Sequence, residues 1–412
     1  MSGEIVVSIL SRLPPKSVMR FKCVHKSWHS LIISPSFIEK HLLLCNKHST
    51  SIFCKRFVHR DINTNEREVV CSLITFSNDD ENDTHFVGED IHIPPSFDVT
   101  TRGQFMDIEV LFAASIIGHC DGTMCIHFGL GSDKIVLWNP AIKDFKILPK
   151  QCLTNGPLNS IAFGYDPRFK DYKLINVVDP TAEVIGERLV FDIPRVEVYS
   201  LSTNSWREIK ACTLETETTM FVPFSYRMYF NGLCYWIGSE KQKEFMDSYD
   251  TDGEEEWPRQ VIQTFDMSTE IFDHILLPNS LCRPAMRNIF NRHVILWNES
   301  VAVFGLYCVG GPGAYGVDAY GLWVLNSLGS VKGSWIKILT LEFEVIPGLQ
   351  KELVVWKSDE ILMVARDGRI FTQNFEAQKF KYLPIDTVHP NNCEAVICVN
   401  SIVPVSPHKQ IA

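Results

Sequence analysis

Two hydrophobic periods divide the chain, with the change near residue 50. Before it, apolar residues recur at helical spacing: Ile5, Val6, Ile9, Leu10 and Leu13 share one helical face. Pro14-Pro15 ends that helix, because proline donates no backbone hydrogen bond and restricts the residue before it. Ser17 is the expected N-cap of a second helix, whose stripe is Val18, Phe21, Val24, Trp28 and Leu31. Ser34-Pro35-Ser36 breaks the pattern again, and Phe37, Ile38, His41 and Leu42 start a third helix. Three helices this short enclose little core, so a partner is expected to cover part of their apolar surface.

Beyond residue 50 the pattern becomes short apolar runs punctuated by Gly, Asn, Asp and Pro, the texture of strands and turns. A unit recurs, an apolar strand, a polar turn and an aromatic strand. Its five copies are 135–149, 196–209, 261–278, 322–339 and 370–384. Their anchors Trp138, Tyr199, Phe265, Trp323 and Phe371 lie 61, 66, 58 and 48 residues apart, a period that suits four-stranded blades with variable loops. The expected fold is a small all-α head followed by a large all-β domain, β-propeller-like with kelch-type blades; a β-sandwich is the alternative. The expected boundaries are a helical head at 1–45, a connecting segment with the first strands at 46–105, the propeller-like domain at 106–395 and a C-terminal tail at 396–412.

Composition narrows the class. At 412 residues, 45% apolar and 21% charged, the chain is globular rather than disordered, and its length exceeds one ordinary domain. No apolar run approaches the roughly 20 residues of a membrane span, and no secretory signal is visible. A cytoplasmic chain is expected, with the nucleus also open. Thirteen cysteines without Cys-x-x-Cys pairs read as reduced, buried thiols. Charge is split: residues 1–60 hold ten Lys/Arg against two acids, whereas the remaining 352 residues carry a net charge of −18. A basic head suits an acidic partner and an acidic body a basic one.

Candidate chemistry is sparse. Gly311-Pro312-Gly313-Ala314-Tyr315-Gly316 fits a dinucleotide fingerprint, but 320–326 reads as a strand, so no helix N-terminus is offered to a phosphate. It reads instead as an inter-strand loop open to client contact, with Tyr315 as the candidate contact residue. His41, Cys45 and His48 share a helical face but lack a fourth metal ligand nearby. Cys120 with Cys125, and Cys393 with Cys398, read as buried strand positions. His119, Asp121 and Cys125 suggest a nucleophile, yet Asp121-Gly122 is a hairpin turn signal. The acidic run Glu244–Glu256 reads as a loop. Its Asp250, Asp252, Glu254, Glu255 and Glu256, closed by Trp257, are candidates for attracting Lys/Arg on a client. Asp79, Asp80, Glu81 and Asp83 make a second acidic loop. No catalytic residue, cofactor or metal is expected, and neither nucleic acid nor membrane as partner.

The head residues carry a specific resemblance. Ile9-Leu10-Ser11-Arg12-Leu13-Pro14-Pro15-Lys16-Ser17, then Arg20-Phe21-Lys22-Cys23-Val24, then Lys26-Ser27-Trp28 resemble the F-box of plant F-box proteins. The body, through Trp138-Asn139-Pro140, Phe163-Gly164-Tyr165-Asp166 with Asp171-Tyr172-Lys173, and Asn231-Gly232-Leu233-Cys234-Tyr235-Trp236, resembles their F-box-associated, kelch-like region. Within the family, the head and the Asn298–Phe304 segment are most similar to S-locus F-box proteins. The chain begins inside the motif, without the Leu-Pro pair and acidic residue that usually precede it.

The resemblance implies a non-catalytic substrate receptor of an SCF (Skp–cullin–F-box) E3 ubiquitin ligase. Its head would bind a Skp-type adaptor, and through it cullin and the RING subunit, using Ile9, Leu10, Leu13, Pro14, Val18, Phe21, Val24 and Trp28. Its body would hold a client, which for the S-locus group is a basic S-RNase met in pollen during self-incompatibility. The alternatives are a receptor for another client, such as an immune or stress regulator, and a binding or enzymatic propeller without an F-box role.

Overall fold

The computed structural model describes residues 3–48, 51–61, 66–80, 83–91, 114–128, 134–153, 160–186, 188–246, 259–278, 281, 292–309, 317–326, 334–342, 348–357, 360–374 and 379–405. Four helices open the chain: α1 (Gly3–Leu10), α2 (Pro15–Phe21), α3 (Lys26–Ile32) and α4 (Pro35–His48). Two expectations for the head are corrected. Pro15, not a residue after Ser17, begins α2, because a proline at the first helical position wastes no hydrogen-bond donor. The second stripe is two helices, not one. His25 is extended (φ −151°, ψ 143°) and caps α3, its Nδ1 accepting the Ser27 N–H at 3.1 Å. The break drops Val24 out of the stripe, and it is 63% exposed.

The strands fall into compact units. The first unit holds residues 1–150 and 348–412. It contains β1 (Ser51–Asp61), β2 (Glu66–Asp80) and β3 (Asp83–Ile91), followed by β4 (Ser115–Cys120), β5 (Thr123–Phe128), β6 (Lys134–Asn139) and β7 (Asp144–Ile147). The second unit, 151–347, contains β8 (Ser160–Asp166), β9 (Asp171–Val178), β10 (Ala182–Ile185), β11 (Arg188–Phe191), β12 (Arg195–Ser200) and β13 (Ser205–Ile209). After these come β14 (Thr219–Phe230), β15 (Leu233–Gln242), β16 (Glu244–Met246), β17 (Arg259–Asp266) and β18 (Phe272–Leu276), then β19 (Arg292–Trp297), β20 (Ser300–Val309), β21 (Val317–Leu325) and β22 (Trp335–Glu342). The chain then returns to the first unit with β23 (Leu349–Lys357), β24 (Glu360–Ala365), β25 (Arg369–Asn374), β26 (Lys379–Asp386) and β27 (Glu394–Cys398).

Among the described residues six four-stranded antiparallel sheets result, three in each unit. Five are simple meanders in which the expected hairpins form the third and fourth strands; their anchors Trp138, Tyr199, Phe265, Trp323 and Phe371 are all buried. The turn at Asp121-Gly122 has φ of 51° and 85°, the left-handed pair that a two-residue hairpin requires. Within each unit the apolar core lies between neighbouring sheets. Phe53, Met124, Ile126, Val136 and Trp138 fill one such layer, and Ile175, Val198, Trp236 and Phe265 another.

The sixth sheet runs β27-β1-β2-β3, so the last strand of the chain supplies its first position. Cys54 of β1 pairs with Ala395, and Lys55 with Glu394. The boundary expected at 396 therefore falls inside a strand. The tail beyond it is also structured as far as 405, with Cys398 of β27 and then Ile402, Val403 and Val405 all buried. Cys120, Cys125 and Cys398 are buried in strands as expected, but Cys393 is buried just ahead of β27, after a 3-10 turn. The acidic stretches differ from the expected loops too. Glu244 belongs to β16, and Asp79, Asp80 and Asp83 belong to the paired ends of β2 and β3, where cross-strand hydrogen bonding continues.

Candidate protein-docking site

The head is held together by one small core. Leu10, Val18, Ile32 and Phe37 are buried, with Val6, Val7, Leu13, Phe21, Trp28 and Ile38 packed round them. Phe21 and Trp28 meet edge to face at 5.5 Å between ring centres. His41 of α4 is buried, and its Nε2 bonds the Leu13 carbonyl at 2.9 Å, while the Cys45 thiol lies 3.4 Å from Nδ1. Burial lowers the pKa of His41, against the opposing pull of that carbonyl. Both ring nitrogens of His41 thus have protein partners. His48 shares the helix, but its side chain lies outside the described residues.

The core uses one face of α1 and leaves the other open. Ile5 and Ile9, one turn apart, are 50% and 51% exposed. Pro14 and Val24 are exposed as well. The eight head residues expected to dock therefore separate. Leu10 and Val18 belong to the head's own core, Leu13, Phe21 and Trp28 are half-buried against it, and Ile9, Pro14 and Val24 face outward. Ile5, on the same helical face as Ile9, joins the outward set. Lys16, Arg20, Lys26 and Lys40 on the helices, and Arg12 in the α1–α2 turn, are exposed, so the open apolar surface sits on a cationic head.

A strap from the far end of the chain mounts this head within its unit. Ile402 completes the head core, and Ile142, from the β6–β7 turn, packs on it. Asn139 is fully buried. Its Nδ2 donates to the carbonyls of Ser401 (3.1 Å) and Val403 (2.9 Å), and its Oδ1 accepts the Ala141 N–H at 3.0 Å. The Val405 N–H donates to Asp144 at 2.8 Å, and the Ser401 hydroxyl to the Asp121 carbonyl. Gly122 lies beneath the strap: at φ +85° a side chain would be strained, and its Cβ would meet the Val399 carbonyl oxygen at 2.5 Å.

The other sequence candidates resolve differently. His119 is pushed down to about 4 and the Cys125 thiol well up, both by burial, so the imidazole stays neutral and the thiol protonated, the reverse of an activated nucleophile. Residues 320–325 are a strand, as expected of the segment after the glycine-rich loop. Tyr315 itself, and Asp250, Asp252, Glu254, Glu255, Glu256 and Trp257, lie outside the described residues. No helix among the described residues is long and apolar enough to cross a membrane.

Two family descriptions match this architecture: an F-box domain over residues 1–40, and an F-box associated beta propeller domain over residues 62–405. The chain belongs to the F-box associated beta propeller family. Its six four-stranded sheets are the blades of that domain. A putative F-box protein of Arabidopsis thaliana is 24% identical over 89% of this chain and 89% of its own length. An Arabidopsis thaliana F-box/kelch-repeat protein is 22% identical over 82% of this chain and 75% of its own. Another putative F-box protein of Arabidopsis thaliana is 28% identical, but over 50% of this chain and 45% of that protein's length. Among solved structures, an oligogalacturonate lyase from Vibrio parahaemolyticus overlaps 65% of this chain and 77% of its own, at 8% identity and a TM-score of 0.34, too loosely to bear on function.

Proposed function

We propose that this chain is the substrate-recognition subunit of an SCF-type E3 ubiquitin ligase. The observation that carries the reading is the open α1 face, with Ile5 and Ile9 exposed on residues that match an F-box domain. Helices whose core is already closed by Leu10, Val18, Ile32 and Phe37 retain this surface for a Skp-type adaptor, which brings cullin and the RING subunit. The propeller holds the client. Catalysis by proximity then needs no acid–base group from this chain: a client held near a ubiquitin-loaded enzyme has its lysines at high effective concentration. The chain would work in the cytoplasm.

For the client, the acidic body and the S-locus resemblance support a basic S-RNase in pollen, with Asp250, Asp252, Glu254, Glu255, Glu256, Trp257 and Tyr315 as contacts. The deciding experiment is capture of the full chain by an immobilised Skp-type adaptor. The wild type is expected to bind. Ile5→Asp with Ile9→Asp is expected to weaken binding at least tenfold while leaving the thermal midpoint unchanged, because neither side chain supports the core. A wild-type chain that folds but is not captured sinks the ligase reading.

A further inference from the structure

Beside the three blades of the second unit lies a three-stranded sheet that belongs to none of them, ordered β10-β11-β16. The β10–β11 hairpin is inserted between β9 and β12, and β16 between β15 and β17. All four residues of β10 are exposed, including Val184 at 62% and Ile185 at 60%. Because side chains alternate along a strand, these two apolar groups lie on opposite faces, and neither face is covered. An exposed apolar edge strand is what soluble proteins usually avoid.

Hydrogen-bond parity shows which groups β10 offers. The Phe191 N–H donates to Lys243, on the β16 side, and the Asp192 N–H donates to Thr181, on the β10 side, both at 2.9 Å. With Glu183 opposite Val190 and Val184 opposite Leu189, residues 181, 183 and 185 bond to β11. Ala182 and Val184 therefore point their N–H and C=O groups outward, where no described strand pairs with them. The hairpin is also acidic: residues 179–192 hold Asp179, Glu183, Glu187 and Asp192 against Arg188. Arg188 is already engaged by Glu244, at 3.2 Å.

We propose that the open edge of β10 is a client-binding edge, taking an extended segment that alternates apolar residues with Lys or Arg as a fourth strand of this sheet. Main-chain bonds to Ala182 and Val184 would supply affinity, the Val184 face would bury the segment's apolar side chains, and Glu183, on the opposite face, would select its positive charge. The proposal rests on the receptor reading but is tested apart from it.

The test is fluorescence anisotropy of the full chain with a labelled Lys-Val-Lys-Val-Thr-Val-Lys peptide and its counterpart with glutamate for lysine. The lysine peptide is expected to bind at least tenfold more tightly. Val184→Pro removes an outward N–H without touching the β11 ladder, and is expected to weaken the lysine peptide at least tenfold with unchanged circular dichroism. Should that variant fold poorly, Ala182→Pro makes the same test one outward position away. No binding of the lysine peptide, or binding indifferent to both prolines, overturns the proposal. So does a wild-type dimer in ultracentrifugation that Val184→Pro abolishes, since the edge would then serve a second copy. Adaptor capture by Val184→Pro is expected to match wild type; loss of capture in the wild type itself would instead strike the receptor reading and leave the edge result standing.

Discussion

Asn139 shows how much one side chain can hold. It is buried, and two of its bonds reach a segment more than 260 residues later. Asn139→Ala is expected to cost about 2–3 kcal/mol, since buried carbonyls of Ser401 and Val403 lose their donor. Urea denaturation measures that loss, and faster protease cleavage within 399–405 would locate it at the strap. The sequence marks Trp138-Asn139-Pro140 as a motif but is silent on its partner, because a side-chain amide specifies that it needs acceptors, not where they are. The head carries the same lesson. The apolar spacing of Val18, Phe21, Val24 and Trp28 fits one helix, yet the extended His25 divides it, and a local cap outweighed the pattern.

Among elements, the turn after β17 is clamped to the strands before it by a buried cation. Lys173 of β9 lies 2.5 Å from Asp166 of β8 and 2.9 Å from Glu270, and it donates to the Met267 carbonyl at 2.8 Å. Arg207 of β13 adds a second bond to Glu270. Burial alone would raise the carboxyl pKa values. For Asp166, Lys173, the Phe169 N–H and the Ser268 hydroxyl outweigh burial; for Glu270, Arg207 and Lys173 do; both end below their ordinary values. Groups depressed in the folded state stabilise it above their unfolded values, near 3.8 and 4.5, and that stability is lost as pH falls through the folded values. Lys173→Met is expected to cost about 3–5 kcal/mol at neutral pH, because it leaves buried Asp166 without its cation. Denaturation curves of the two proteins are expected to converge as pH falls below 3.8 and on through the depressed folded value, where Asp166 takes a proton. Equal curves at pH 7 would show that the clamp contributes nothing. The motif residues Asp166 and Lys173 are visible in the sequence; Glu270, in the β17–β18 turn of another sheet, is not.

At the scale of the molecule, the sheet β27-β1-β2-β3 joins the two ends of the chain. Lys55 of β1 is buried, bonds the Ala114 carbonyl and pairs with Glu394 of β27 at 3.1 Å, while Glu394 also accepts the Ile116 N–H at 2.7 Å. Deleting 394–412 removes the first strand of that sheet, the counter-ion of a buried lysine and the Ile402 that completes the head core. The expected outcome is loss of the cooperative thermal transition and rapid proteolysis of 1–150, rather than a trimmed but stable protein. A truncated chain that keeps its transition would mean the closing strand is dispensable.

By itself the sequence determined what is local. The helical head, five strand hairpins and the turns that link them follow from apolar period, proline and Asp-Gly or Asn-Gly dipeptides, because these act through neighbours in the chain. It also marked Ile9 and Ile5 as one helical face. Only the tertiary structure decided which apolar residues of that head remain open, since Leu10 and Ile9 are equally apolar and differ in what packs on them. Only it placed β27 beside β1, gave the C-terminal strap its place, and brought β10, β11 and β16 into one sheet. Strand pairing between distant segments depends on backbone groups that every residue carries alike, so the period of a strand foretells its existence but not its neighbour.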